Sequence, residues 1–415
     1  MKTGRRDDVL SDSTVGGTPY SAIVLPDTSR FAIALRVRCA TMDASGISSL
    51  SAVLSRCLGQ DAFAKTGPML AAEVGSLGGF GITEDGESIT VWGICSKDTT
   101  DILETIQIVL GDLAIRPRFD DTIVASAKVR LQRDRLLLQT DRAGNLKRLG
   151  RANISGIPAD LGTLPAIDRR VDLARILAQH RIWFQPSNAS ITVLGAFEPV
   201  AVREAVRVAL SVFGWAERSV KSPRATTPLP VTIREQTVHV KGGKGPSRAY
   251  LCSGLIPSTR NLASIAADIV ACETLTGGRT GTLYALRTQQ YALYDVASHL
   301  EFSPAGHTLV VEAVSSLPPE MLGITLRAAL RQSCANAHKI DAATLNRCKA
   351  SVLRTVEQRS ENILATLLAA SARQDYQLAD LDRNLGGLVT AVSLDDLVSA
   401  LRRFERLPVL VSLMP

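Results

Sequence analysis

An internal repeat restricts the fold of this chain more than any other feature. Displaced by 220 residues, Ser88–Ser96 falls on Thr308–Ser316. The register runs on without a gap, so that Ile102, Ile106 and Leu110 fall on Leu322, Leu326 and Leu330. Each copy is an apolar strand-like run followed by apolar residues at helical spacing. In the first half, Tyr20–Leu25 and Phe31–Val37 read as strands split by a turn at Pro26–Asp27. Ile47–Leu58 reads as helix, Ser88–Cys95 as strand and Thr99–Leu113 as helix. Asp121–Leu149 reads mostly as helix, and Val171–Arg181 (helix), Ala189–Leu194 (strand) and Pro199–Phe213 (helix) follow. The second half restarts with the strand Ala249–Leu255 and the helices Ala263–Leu275 and Thr282–Gln290. It continues with strands Tyr294–Leu300 and Thr308–Val314 and the helix Pro318–Ser333. The fold class read from this order is α+β: two homologous domains, each a mixed, mostly antiparallel sheet with helices packed on one face. The expected boundaries are a polar leader over 1–14, a first domain over 15–217, a linker over 218–234 and a second domain over 235–415. Pro, Ser and Thr crowd Ser222–Pro230, a composition without periodicity that suits a linker.

Composition removes several function classes. At 46% hydrophobic and 21% charged residues, the 415-residue chain has material for cores and is not a disordered protein. The net charge of +7 is scattered along the chain, and only 4% of residues are aromatic. That argues against a nucleic-acid groove with stacked bases. The seven cysteines stand singly, never as C-x-x-C, which speaks against a zinc ribbon, a redox motif or a disulfide framework. Five histidines are present and none precedes His180, so metal chemistry in the first half has few ligands to draw on. No apolar run reaches the length of a membrane span. The N-terminus, polar from Met1 to Asp8, shows no apolar signal core.

Several short patterns carry chemistry on paper. Lys241–Gly245 is Gly- and Lys-rich but lacks phosphate-loop spacing, and reads as a surface turn. Gly277–Thr282 reads as a turn with a Thr cap before a helix. Arg130, Arg133 and Arg135 read as a solvated helix face, with substrate steering as the alternative. His299 and His307 have no neighbouring carboxylate pair that would make a metal site. Cys252 with His299 would be the nucleophile dyad of another reaction class.

Other residues carry a family resemblance over about residues 15 to 415. Leu77–Thr83 (LGGFGIT) with Thr90–Trp92, then Phe184–Asn188 (FQPSN), Val193–Gly195 and Phe213–Trp215 lie in the first half. Leu275–Gly278 (LTGG), Leu283, Leu286, Arg287, Leu293 and Tyr294 lie in the second. In this order they resemble the pitrilysin and mitochondrial processing peptidase family, the zinc peptidases with the inverted motif H-x-x-E-H. The resemblance implies that Arg287 and Tyr294 are the substrate-side pair. It also implies that the strand opened by Gly78, Gly79, Phe80 and Gly81 is an edge on which a peptide adds, or its structural remnant in a subunit without zinc. On residue chemistry alone, Arg287 also reads as a helix-surface residue and Tyr294 as a buried strand-start ring.

The sequence departs from the family where the metal should sit. The two motif histidines fall on Ser49 and Val53 and the glutamate on Ala52. The third ligand, a Glu expected within Thr122–Gln139, has no counterpart, because no Glu occurs between Glu104 and Glu198. Between Arg287 and Tyr294, the family's Gly is Tyr291 and the acidic neighbour of the Arg is Thr288. Zinc hydrolysis needs three protein ligands and an open water position, so no metal or other cofactor is expected in this chain. The resemblance then implies the non-metal half of a heterodimeric zinc endopeptidase, inactive alone, with zinc in a homologous partner subunit. Such a pair forms a four-domain clamshell around peptide substrates. The alternatives are a catalytically silent structural or assembly subunit and a peptide-binding homodimer, which the chain would also form through the same surface without its partner. The absent signal core favours the cytoplasm if the chain is the complete primary product, and the resemblance favours the periplasm.

Overall fold

The computed structural model describes residues 13–39, 49–62, 65–85, 88–140, 144, 146, 167, 169–217, 235–239, 245–257, 261–277, 281, 283, 286–287, 293–303, 306–358 and 361–414. The expected linker and nearly all of the expected leader lie outside them. The chain divides into two compact units.

The first half supplies β1 (Ser13–Val15), β2 (Thr18–Val24), β3 (Arg30–Arg38), α1 (Leu50–Cys57), β4 (Asp61–Ala62), α2 (Gly67–Leu77), β5 (Gly78–Glu84) and β6 (Ser88–Ser96). Then come α3 (Thr99–Gln107), β7 (Pro117–Arg118), α4 (Asp121–Thr140), α5 (Leu173–Trp183), β8 (Ala189–Gly195) and α6 (Pro199–Val212). The second half supplies β9 (Gln236–His239), β10 (Ser247–Ser253), β11 (Ile256–Pro257), α7 (Leu262–Thr276), β12 (Asp295–Ser303), β13 (Gly306–Ser315) and α8 (Pro319–Ala335). It ends with α9 (Ala342–Glu357), α10 (Ile363–Asp375), α11 (Ala379–Ala391), α12 (Leu394–Arg406) and β14 (Val409–Met414). Of the expected helix Thr282–Gln290, only Leu286 and Arg287 are helical among the described residues.

The repeat is visible in the strand order. The first unit's sheet runs β1-β2-β8-β3-β6-β5, and the second's runs β9-β14-β10-β13, with β12 and β11 also on β13. Each sheet has one parallel pair, β2 with β8 and β9 with β14. The remaining pairs are antiparallel. The register matches as well: Ala34 faces Trp92 where Tyr250 faces Glu312, and Gly79 faces Ile94 where Asp295 faces Val314. Thus β5 and β12 are corresponding edge strands, each paired to one neighbour among the described residues.

In the first unit, Phe31, Ile33, Leu35 and Val37 of β3 point into the main core with Val53, Leu54, Ile106 and Val109. Alternation puts Ala32 and Ala34 on the other face. There they meet Ile363 and Leu367 of α10, a helix from the far end of the chain. Both faces are covered, so Phe31–Val37 reads as a continuous apolar run broken only by Arg36, and all seven residues are buried. Arg36 is accommodated by Asp375 at the end of α10, whose Oδ2 accepts from Nε at 2.9 Å. Beyond α3 the backbone continues as a π-helix over Ile108–Ile115. The buried ring of His180 donates through Nε2 to the Ala114 carbonyl at 2.8 Å.

In the second unit, α7 is apolar all round and buried accordingly. It packs against β12, α9 and α12. Its one buried charge, Asp268, accepts from His307 Nε2 at 2.9 Å and from Arg403 Nη2 at 2.5 Å. On the opposite face of the sheet, Leu146 joins Tyr250, Cys252, Val310 and Met414. The units therefore exchange segments: α10 belongs to the first unit although it follows residue 235, and Leu146 belongs to the second.

Candidate functional site

The positions of the degenerate zinc motif lie at and inside α1. Leu50, Val53, Leu54 and Cys57 recur at helical spacing and turn the helix towards the core. Val53 has no exposed surface, and Ala52 packs partly buried against the same core. Ser49 enters the helix in a left-handed conformation, with φ at 77°. A hydroxyl, a methyl and an isopropyl group in these places offer no ligand set for zinc, and the residues do not fit the family's metal. Arginine–carboxylate pairing joins α1 to α4 instead. Arg56 donates to Asp134 at 2.9 and 3.0 Å and to the Ala52 carbonyl at 2.9 Å. Arg130 donates to the Arg56 carbonyl at 2.6 Å, so of the three arginines read as a solvated face one holds backbone, while Arg133 is exposed. Ser51 donates to Glu84 at the end of β5 at 3.1 Å.

The β5 edge is built from glycines for steric reasons. The Trp92 indole lies across Gly81, where a Cβ would approach it to 2.5 Å, and Phe80 in return covers Gly93. Gly78 opens the strand at φ 155°, where a Cβ would run into the Ile94 carbonyl. Gly78 and Gly79 are exposed, and Phe80 and Gly81 are half-buried.

Arg287 and Tyr294 belong to the second unit. Leu283, Leu286 and Leu293 are buried anchors on either side of the segment. Leu283 donates its N–H to the Leu275 carbonyl at 2.7 Å, tying the chain back to the end of α7. With Leu286 and Leu293 directed inward, the residues after them face solvent: Arg287 is exposed and Tyr294 is 56% exposed. Tyr294 is therefore not a buried strand-start ring. Its N–H donates to the Val314 carbonyl at 2.8 Å, immediately before β12 begins. Thr288 and Tyr291 lie outside the described residues.

The other motifs do not assemble into sites. His299 lies 3.5 Å from Glu301 and is partly exposed, whereas His307 is buried against Asp268. Among the described residues, no three His, Cys, Asp or Glu side chains come together as a metal group. Cys252 is fully buried, and burial pushes its thiol well above the usual range, so it is no nucleophile. Lys241–Lys244, Gly278–Thr280 and Thr282 lie outside the described residues. No local sequence pattern marks the Arg56–Asp134 link, whereas Arg347, Ser351 and Arg354 on α9 stand at helical spacing in the sequence.

Comparison with known proteins bears on this arrangement. Residues 170–352 match the family described as the peptidase M16 inactive domain. No curated protein matches the chain. A peptidase M16 inactive domain from Pseudomonas fluorescens is similar in structure, at 15% identity and a TM-score of 0.77, covering 98% of each chain. A protease from Helicobacter pylori gives 14% and 0.75, covering 97% of this chain and 98% of that one. The first half of the periplasmic protease PqqL from Escherichia coli gives 12% and 0.68, covering 98% and 92%.

Proposed function

We propose that this chain, a non-catalytic M16-like subunit whose residues 170–352 belong to the peptidase M16 inactive-domain family, works by pairing with a homologous subunit that carries H-x-x-E-H and zinc. The observation that carries the reading is a contrast in exposure. Val53 at the degenerate motif is fully buried in the core, while Arg287 and Tyr294 are exposed beside buried leucine anchors. The partner's zinc would supply an activated water and a Lewis acid for the peptide carbonyl. This chain's part is then electrostatic. The Tyr294 phenol donates to the oxygen on which negative charge develops, and the Arg287 guanidinium holds a substrate carbonyl or carboxylate. The resemblance of the fold to half of a periplasmic protease supports a paired assembly, and we place the pair in the periplasm, which cell fractionation tests.

The decisive experiment reconstitutes the chain with a homologous zinc-bearing M16 subunit and follows cleavage of a quenched fluorescent peptide. Tyr294→Phe should lower kcat by about 10²–10³, the usual cost of one oxyanion donor. Arg287→Ala should act mainly on KM. Full activity of the Tyr294→Phe assembly would leave a silent assembly subunit as the better reading. Stoichiometric zinc and peptide cleavage by the isolated chain would remove the proposal altogether.

A further inference from the structure

A cavity of about 310 Å³ opens in the second unit between the end of α7 and α9. Its two walls carry opposite charge. From α9 come Arg347, Ser351 and Arg354, and from the end of α7 come Glu273 and Gly277. Residues four and seven apart share one face of a helix, so Arg347, Ser351 and Arg354 line the cavity from the same side of α9. Arg354 is exposed, and its guanidinium makes no hydrogen bond or ion pair among the described residues. Arg347 gives one N–H to Thr344 Oγ1 at 2.8 Å. On the other wall, Glu273 stands where the carbonyls of α7 end, and a helix C-terminus adds partial negative charge. Cys348, between the arginine positions, is held by Thr274 Oγ1 at 3.5 Å. Among the described residues, neither arginine forms an ion pair with Glu273.

We propose that this cavity binds an unblocked short peptide, about two residues long, by both of its charged ends. The ligand carboxylate lies on Arg347, Ser351 and Arg354, and the ammonium lies on Glu273 and the end of α7. A purely anionic ligand would bring its charge against Glu273 and the helix C-terminus, and a purely cationic one would meet two guanidinium groups. A dipolar ligand satisfies both walls. The volume sits at the low end of small-molecule sites, which run to ~1,000 Å³, and so suits a small occupant. This site does not depend on the zinc-bearing partner.

The test titrates the full chain with unblocked dialanine and with its N-acetylated and C-amidated forms, using isothermal calorimetry. Dialanine should bind saturably, and each blocked form at least tenfold more weakly, because each loses one charge-assisted contact. Arg354→Gln and Glu273→Gln should each weaken dialanine at least tenfold at an unchanged thermal midpoint. No saturable binding of dialanine overturns the proposal. So does equal binding of the N-acetylated form, which would make the cavity a simple anion site.

Discussion

Asp375→Ala is the most informative single change in the first unit. Asp375 is 8% exposed and Arg36 is 5% exposed, and they meet at 2.9 Å. Ser190 donates to the second carboxylate oxygen at 2.7 Å, and Arg38 donates to the Asp375 carbonyl at 2.9 Å. Arg36 also reaches Thr90 at 3.2 Å and the half-exposed Asp85 at 2.7 Å. Removing one partner of a buried pair costs about 3–5 kcal/mol. Because Asp85 still holds Arg36, the low end of that range applies, and the orphaned Ser190 hydroxyl adds about 1 kcal/mol. The expected loss is about 3–4 kcal/mol in the first unit, read by urea unfolding followed at Trp92 and by protease sensitivity of α10. A double variant, Arg36→Met with Asp375→Leu, should recover most of that loss, since a well-packed apolar pair replaces a buried ion pair at little cost. A loss below 1 kcal/mol for Asp375→Ala, or a double variant less stable than both singles, would refute the argument. The pH dependence has a definite sign. Burial pushes the Asp375 carboxyl up, more than Arg36, Arg38 and Ser190 pull it down. With a folded-state value above the unfolded one, this group's contribution is fully present below the ordinary aspartate range. It is lost as pH rises through the folded value. Against an Asp375→Asn reference, which does not titrate, wild-type stability should therefore fall across that window as pH rises.

Three further outcomes are expected. A Cβ at Gly111 would overlap the Phe213 ring, so Gly111→Ala should cost about 1–3 kcal/mol by overpacking, measured by thermal unfolding. All seven cysteines are buried, and burial lifts Cys57 to about 12 and Cys95 to about 11. A thiol reagent at pH 8 should therefore find none in the native chain and seven after denaturation. Ser393 caps α12 reciprocally with Asp396, at 3.1 and 2.9 Å, and Ser393→Ala should cost about 0.5–2 kcal/mol.

The repeat was legible because it lives in local pattern. Alternating runs such as Ser88–Ser96 and spaced residues such as Ile102, Ile106 and Leu110 owe their periods to the strand and the helix themselves. The exchange of α10 was not legible. Its small and apolar residues (ILATLLAASARQD) suit any sheet face, and nothing local says that the face lies far upstream at Arg36, whose bond to Asp375 spans 339 positions. The same limit hid Arg56–Asp134. At the candidate site, the identities of Ser49, Ala52 and Val53 could be read directly, because a missing imidazole needs no geometry. The exposure of Tyr294 could not, since the Leu-Tyr order at 293 and 294 does not say which of the two turns inward.

The two units keep one sheet topology but treat the corresponding corner differently. The helix after β3 and the helix after β10 hold equivalent places. In the second unit that helix, α7, buries Asp268, which is neutralised by Arg403 and bonded by His307. In the first it is α1, whose inner face is apolar. Val53 is fully buried there, and burying such a side chain contributes about 1.5–3 kcal/mol. An imidazole in its place would need a metal or a hydrogen-bond partner to offset its desolvation. The apolar residue removes that need, and Arg56–Asp134 ties α1 to α4. In the first unit, Val53 and Ala52 contribute packing to the core instead of ligands. In the second unit, Arg287 and Tyr294 are exposed and contribute little burial to the fold that presents them.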